Sequence, residues 1–385
     1  MKRYDELDSL RGLAALTVMI GHCFMLLTFF NEGHSLFLGI LKNSPLSIIW
    51  AGHQAVIMFF ILSGFVLSLP YYFGRQQAYS SYIIRRICRI YLPYIFTIVL
   101  AIVARLLVTK QYNLDLDKWL YTLWDEEVTL SSILNHLTFV GVYNSRVFDP
   151  VVWSLIEEMR ISIIFPLIML LVLRFNLKIN VAICLFCSVI SNALFYIKWH
   201  YSFPALPTIL GILSTIEWIP MFIIGALLAK NIGPLVKKFQ QQSIFFKIVI
   251  SVVGLLSYTY INWVKSDGSI LHQPIVDNWF VILGASIFIV LSLSSKITSK
   301  LLMLRPIHFI GRISYSFYLL HMVILLTLVH ALYGTIPLWA IWLLTLTGTL
   351  ILSSFTYNII EVTCIKLGRK VNTVLDGRID RKIEV

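Results

Sequence analysis

Ionisable side chains are costly inside an apolar run, so those found there mark where chemistry is to be sought. His22 closes the stretch LDSLRGLAALTVMIGH, Leu7 to His22. At helical rise it lies roughly 16 Å beyond Arg11, near mid-depth of a membrane. An imidazole at that depth can act as a general base, a nucleophile or a step in a proton relay. A plainer use is a hydrogen bond to a neighbouring helix. Asp8 and Arg11 sit three residues apart at the mouth of the same run. They can form an ordinary helix-end pair, and Arg11 can snorkel to the interface.

The second constellation is WSLIEEMR, Trp153 to Arg160. Glu157, Glu158 and Arg160 cannot all face lipid. Entering from the outer side, Glu158 is expected roughly 10 Å deep, at a level similar to His22. An intramembrane carboxylate at that depth is a functional candidate in its own right. In the plainer reading Glu158 pairs with Arg160, although two residues apart is a poor spacing on one helix face. The third is YIIRRICRIYLP, Tyr82 to Pro93. Arg86 and Arg89 are three apart and predicted to share a face, which suits a polyphosphate because each guanidinium can donate two hydrogen bonds. They also serve as topology signals. The fourth is FFILSGF, where Ser63 and Gly64 allow close approach of another helix. In the fifth, GRISYSFYLLH, Ser314, Tyr318 and His321 can share one stripe.

These residues need a scaffold, and composition names it. Of 385 residues 58% are hydrophobic and 13% charged, against roughly 25% charged in soluble domains. Long apolar runs recur throughout, which predicts an all-α, polytopic transmembrane helical bundle. About ten spans are expected, near 11–30, 48–70, 90–108, 151–173, 179–197, 206–229, 245–264, 279–295, 313–332 and 337–360. The apolar segment 131–143 is short and reads as re-entrant or interfacial, with an eleventh span as the alternative. With the N-terminus inside, 23 basic residues fall on the inner side, six on the outer side, and Arg105 and Arg160 within spans. That asymmetry holds loop by loop and puts both termini in the cytoplasm. The net charge of +12 then reflects orientation, not nucleic-acid binding.

The five cysteines lie in or beside apolar runs, and the CxxC of Cys184 and Cys187 lacks neighbouring ligands for a metal. No cleavable signal is expected, since the first apolar run is long and no small-residue cleavage site follows it. Residues 1–365 read as one membrane domain and 366–385 as a basic cytoplasmic tail. The largest outer loop, 109–150, is acidic and a candidate for acceptor recognition.

Taken together, the five segments resemble acyltransferase family 3, the bacterial membrane O-acyltransferases of surface sugars. LDSLRGLAALTVMIGH is similar to that family's LDxLRGxAxxxVxxxH, FFILSGF to FFxLSGF, and RRICRIYLP to RRxxRIxP. WSLIEEMRISIIFP is similar to WSLxxExxFxxxxP, with Ile161 where an aromatic is common, and GRISYSFYLLH to GxxSYxxYLxH. The resemblance spans nearly the whole chain. It implies transfer of an acyl group, usually acetyl from acetyl-CoA, to a sugar hydroxyl. It implies essential roles for His22, Arg11, Arg86 and Arg89. Acyl-CoA is thus the expected donor, with no tightly bound cofactor, and a carbohydrate, free or lipid-linked, the expected acceptor. Some members carry a hydrolase-like domain after the membrane part; these residues correspond to the membrane part, so transfer there or hand-over to a separate protein is expected. Catalysis is assigned to His22 and Glu158, donor binding to Arg11, Arg86 and Arg89. Supporting roles go to Asp8, Ser63, Gly64, Trp153, Arg160, Ser314, Tyr318 and His321. The competing class is a proton-coupled transporter or flippase of a sugar or lipid-linked glycan, for which intramembrane His and Glu would serve equally well.

Overall fold

The computed structural model describes residues 4–27, 36–74, 78–108, 116–138, 140–200, 206–263 and 273–371. Helices α1 (Asp5–Met25) and α2 (Gly52–Tyr72) come first, followed by α3 (Tyr79–Leu107), a continuous helix interrupted by a π-helical turn at Ile87–Tyr91. A short α4 (Leu130–Thr138) precedes α5 (Trp153–Arg174) and α6 (Leu177–His200). Then come α7 (Ile219–Gln240), α8 (Ile244–Tyr258) and α9 (Pro274–Ser294). The chain closes with α10 (Arg305–Leu332) and α11 (Leu338–Thr356), the latter running through a second π-helical turn, Tyr357–Glu361, to Val371. Among the described residues there is no strand. Seven helices among the described residues are long and apolar enough to cross a membrane, so this is an all-α, multi-pass membrane protein. α1 and α5, with 21 and 22 residues, have the length as well but carry the charged motifs.

One expected span changes, and the segment 131–143 is short, as expected. Segment 131–143 yields only the nine residues of α4, about 14 Å of helix, which cannot cross roughly 30 Å of hydrocarbon. The span placed at 206–229 is broken. A helix over Leu206–Leu213 and a 3-10 turn over Ser214–Glu217 precede α7, which starts at Ile219 with Pro220 in its first turn. Proline suits that position because its missing N–H has no helical partner there. The tail begins as helix to Val371; residues 372–385 lie outside the described residues.

The chain divides into two compact units, Met1–Gly74 with Leu167–Ser314, and Arg75–Pro166 with Tyr315–Val385. The first contains α1, α2 and α6–α9. Its closest approach is between α2 and α7. A Cβ on Gly64 would lie 2.2 Å from the Phe222 carbonyl oxygen, and one on Gly225 2.0 Å from that of Ile61. The two backbones touch because neither position has a side chain. Gly12 of α1 meets Gly311 at the start of α10 in the same way.

The second unit contains α3, most of α5, the outer segment 116–152, the later part of α10 and α11. The outer segment is folded in, burying Leu120, Leu123, Trp124, Val147 and Phe148. Arginines hold it. Arg105 donates to the carbonyls of Val147 (2.6 Å), Trp124 (2.8 Å) and Glu126. Arg160 donates to those of Val140 (3.0 Å) and Gly141 (2.5 Å). The two arginines that fell inside spans therefore satisfy backbone acceptors that water would otherwise have to reach.

Candidate functional site

Three of the five motifs converge in the second unit. Arg86 is buried, and its Nη2 lies 2.8 Å from Glu158 Oε1. Its Nε and Nη2 also donate to Ser162 Oγ at 3.2 and 2.9 Å. Tyr82 donates to the Ser162 carbonyl at 2.9 Å, fixing the same turn of α5. Tyr315 of α10 donates to the Ile90 carbonyl at 2.7 Å, within the π turn of α3. Ser316 donates to Glu361 at 3.0 Å, at the end of the π turn after α11. Tyr315 interacts electrostatically with Glu158, Glu361, Arg86 and Arg89, and Arg89 with Glu361. Two arginines and two carboxylates thus surround one tyrosine. Isolated π turns are rare and recur at functional sites; here both lie in this cluster.

The local geometry revises the reading of the arginines. Arg86 is buried and Arg89 exposed, although both act electrostatically on Tyr315. The wide π turn begins between them, at Ile87, and breaks the three-residue register that an α-helix would impose. Glu158 pairs with Arg86, not with Arg160, which takes Glu157 at 3.1 Å. Spacing explains the exchange, because residues three apart face each other and residues two apart do not.

Further along α10, Tyr318 shares a hydrogen bond of 2.8 Å with Ser154 and donates to the Val151 carbonyl at 3.3 Å. His321 is fully buried and donates from Nδ1 to the Tyr318 carbonyl at 2.7 Å. Ser314 is buried on the same helix, and Trp153, half-buried, opens α5. Outside the spans, Asp149 caps the turn Pro150–Val152 through Val151 N–H at 3.3 Å. It is wholly buried, and burial pushes its carboxyl up to about 8. His136 stands between Tyr143 and Phe148, at ring distances of 4.4 and 4.6 Å, and burial pushes its pKa down.

The first unit holds the remaining residues. Asp8 and Arg11 form an ion pair at 3.7 Å. Ser63 and Gly64 are buried at the crossing with α7. His22 is half-buried in the last turn of α1. Next to it, Gly21 meets the Trp50 carbonyl, just before α2 begins, with a Cβ position 3.0 Å away. His22 therefore lies nearer the C-terminal end of α1 than its middle, because the helix starts at Asp5 and stops at Met25. His22 belongs to one unit and Arg86 and Glu158 to the other.

Sequence reasoning missed Ser162 and Glu361, and took Tyr315 only as one of the polar residues recurring at spacings of three and four in GRISYSFYLLH. It also passed over a polar chain in the first unit. His53 Nε2 lies 3.0 Å from Asn278 Oδ1, and Asn278 Nδ2 donates to Glu217 at 3.1 Å. Glu361 and Glu217 carried a usable signal, as carboxylates within apolar runs. Ser162 carried none, since hydroxyls are common in membrane helices.

A family model described as an acyltransferase domain matches residues 4–358. No curated protein and no solved structure shows a significant match.

Proposed function

Because the chain belongs to acyltransferase family 3, we propose that this membrane acyltransferase moves an acyl group, acetyl in the first instance, from cytoplasmic acyl-CoA to a hydroxyl of a surface or exported glycan in a bacterial cytoplasmic membrane. The observation that carries the reading is the buried Arg86–Glu158–Ser162 cluster, built from two of the family motifs. A buried ion pair is weak as a stability device, since desolvation offsets much of the attraction. Its retention in an apolar unit fits a site that must hold charge in place.

Arg89, exposed on α3, is the candidate for the phosphates of CoA. Arg86 positions Glu158 and the turn of α5 around Ser162. Arg11, paired with Asp8, is the candidate cation of the first unit for an anionic part of the donor. His22 acts as general base or as acyl carrier. As base, its imidazole takes the proton of the acceptor hydroxyl while that oxygen attacks the thioester carbonyl; the C–S bond breaks and the thiolate leaves as CoA after protonation. As carrier, the imidazole nitrogen attacks the thioester carbonyl, the C–S bond breaks and CoA leaves; the acceptor oxygen then takes the acyl group, the C–N bond breaks and the freed imidazole takes the hydroxyl proton.

The test is mass analysis of surface polysaccharide from cells with the wild-type gene, without it, and with His22→Ala. The proposal expects a wild-type acetyl increment that is absent from both others, with the variant protein still in the membrane. Normal acetylation by His22→Ala overturns the assignment of His22. Loss of the whole glycan on deletion overturns the enzymatic reading in favour of transport.

A further inference from the structure

The first unit contains a half-open cavity of about 180 Å³ whose walls include Ser188, Ser191, Asn192, Phe195, Glu217 and Asn278. The charge-derived orientation puts it in the outer half of the unit, where α6 ends and α7 and α9 begin. We propose that this cavity binds a neutral, hydroxyl-rich ring, the sugar of a glycan or of a glycosyl lipid.

The polar wall is built. Asn278 is buried and donates its amide N–H to Glu217 Oε1, so its oxygen accepts from His53 Nε2–H. This chain fixes the amide orientation and holds one carboxyl oxygen of Glu217, leaving the other for a ligand. Trp279 Nε1 donates to Ser188 Oγ at 3.2 Å, anchoring the α6 side. Ser191 and Asn192 line the cavity and make no hydrogen bond among the described residues. A hydroxyl, an amide and a carboxyl oxygen in one small space match the alternating donors and acceptors of a polyol. Phe195 offers an apolar face of the kind small-ligand sites combine with few polar groups.

The lining excludes the obvious alternatives. Among the described residues no cationic side chain lines it, so a phosphate would meet a carboxyl group with no compensating cation. A lipid tail would offer no partner to the part-buried Ser191 hydroxyl or the Glu217 carboxyl. The volume falls below the roughly 300–1,000 Å³ of drug-sized sites and limits the occupant to a small ring. That such a ring is the acyl acceptor rests on the acyltransferase reading; that the cavity binds it does not.

The experiment uses the full chain with Ser191→Cys in phosphatidylcholine nanodiscs. Alkylation of the new thiol by N-ethylmaleimide is followed by mass spectrometry of the peptide that carries it, with the wild type reporting on Cys187. One arm adds methyl glucoside; the other adds monoglucosyl diacylglycerol to the nanodisc. Protection of about fivefold is expected in at least one arm when the probe is near four times its dissociation constant. The methyl glucoside arm points to a free glycan, the lipid arm alone to a glycosyl lipid. Inorganic phosphate should give no protection. Asn192→Cys, on the exposed side of the same wall, repeats the measurement should Ser191→Cys fold poorly. No protection in either arm, or equal protection by phosphate, overturns the proposal. Because no turnover is read, failure here leaves the acyltransferase reading untouched, and loss of acyl transfer leaves this binding intact.

Discussion

Removing the Glu158 carboxylate tests whether the Arg86 cluster is held as the geometry indicates. Arg86 and Glu158 meet at 2.8 Å with side chains 9% and 20% exposed, and Ser162 takes the remaining bonds. Removing one member of such a pair leaves the other buried and uncompensated, at about 3–5 kcal/mol. Ser162 keeps two of the guanidinium bonds, so Glu158→Ala should sit near the lower end, about 3 kcal/mol. Glu158→Gln keeps an oxygen acceptor and loses the charge, and should cost about 1.5–2 kcal/mol. The double variant Arg86→Ala/Glu158→Ala removes both charges together. It should be more stable than the sum of the single variants by about 1.5 kcal/mol or more, since residues in contact do not add. The assay is a double-mutant cycle on thermal unfolding of the purified protein in nanodiscs, with acyl transfer measured on the same samples. A cost below about 1 kcal/mol for Glu158→Ala, or additivity within about 0.5 kcal/mol, would refute the reasoning.

Three other outcomes follow from the packing. Gly225→Ala puts a Cβ 2.0 Å from the Ile61 carbonyl oxygen, so α2 and α7 must part; folded protein recovered by size-exclusion chromatography should fall sharply, whereas Gly233→Ala, with open space around it, should be neutral. Arg105→Ala strips three backbone carbonyls of their donor and should raise proteolytic nicking between residues 123 and 148 about tenfold, the effect of about 1.4 kcal/mol on local opening. Asp149 binds its proton more tightly folded than unfolded, with the folded value pushed up to about 8 from 3.8. Its contribution is complete below the unfolded value and is lost as pH rises through the folded one. Wild-type melting temperature should therefore fall between about pH 4 and 8 more steeply than that of Asp149→Asn, which keeps the shape without the titration.

Much of the scaffold was legible because apolar length and loop charge are one-dimensional signals. The helices appear where the runs are, and contacts such as Glu6 with Ser299, or His53 with Asn278 and Glu217, join ends that the charge pattern assigns to one side. The pairing of Glu158 was not legible. Nothing in WSLIEEMR says which helix it faces, and Arg86 lies 72 residues away. The π turn at Ile87–Tyr91 was hidden too, and with it the different surroundings of Arg86 and Arg89. Arg105 and Arg160 looked like intramembrane charges but spend their donors on carbonyls of the outer segment, a use that no local pattern announces. His22 falls in the last turn of its helix, because α1 starts at Asp5, six residues before Arg11, and stops at Met25.

Acyl transfer by the purified chain is the most direct measurement. Proteoliposomes carrying the full protein receive radiolabelled acetyl-CoA on the cytoplasmic face and host polysaccharide on the other. The account predicts label on the glycan as an alkali-labile ester, lost with His22→Ala and with Glu158→Ala. Unlabelled glycan crossing the membrane, or label that persists undiminished in His22→Ala, would contradict it.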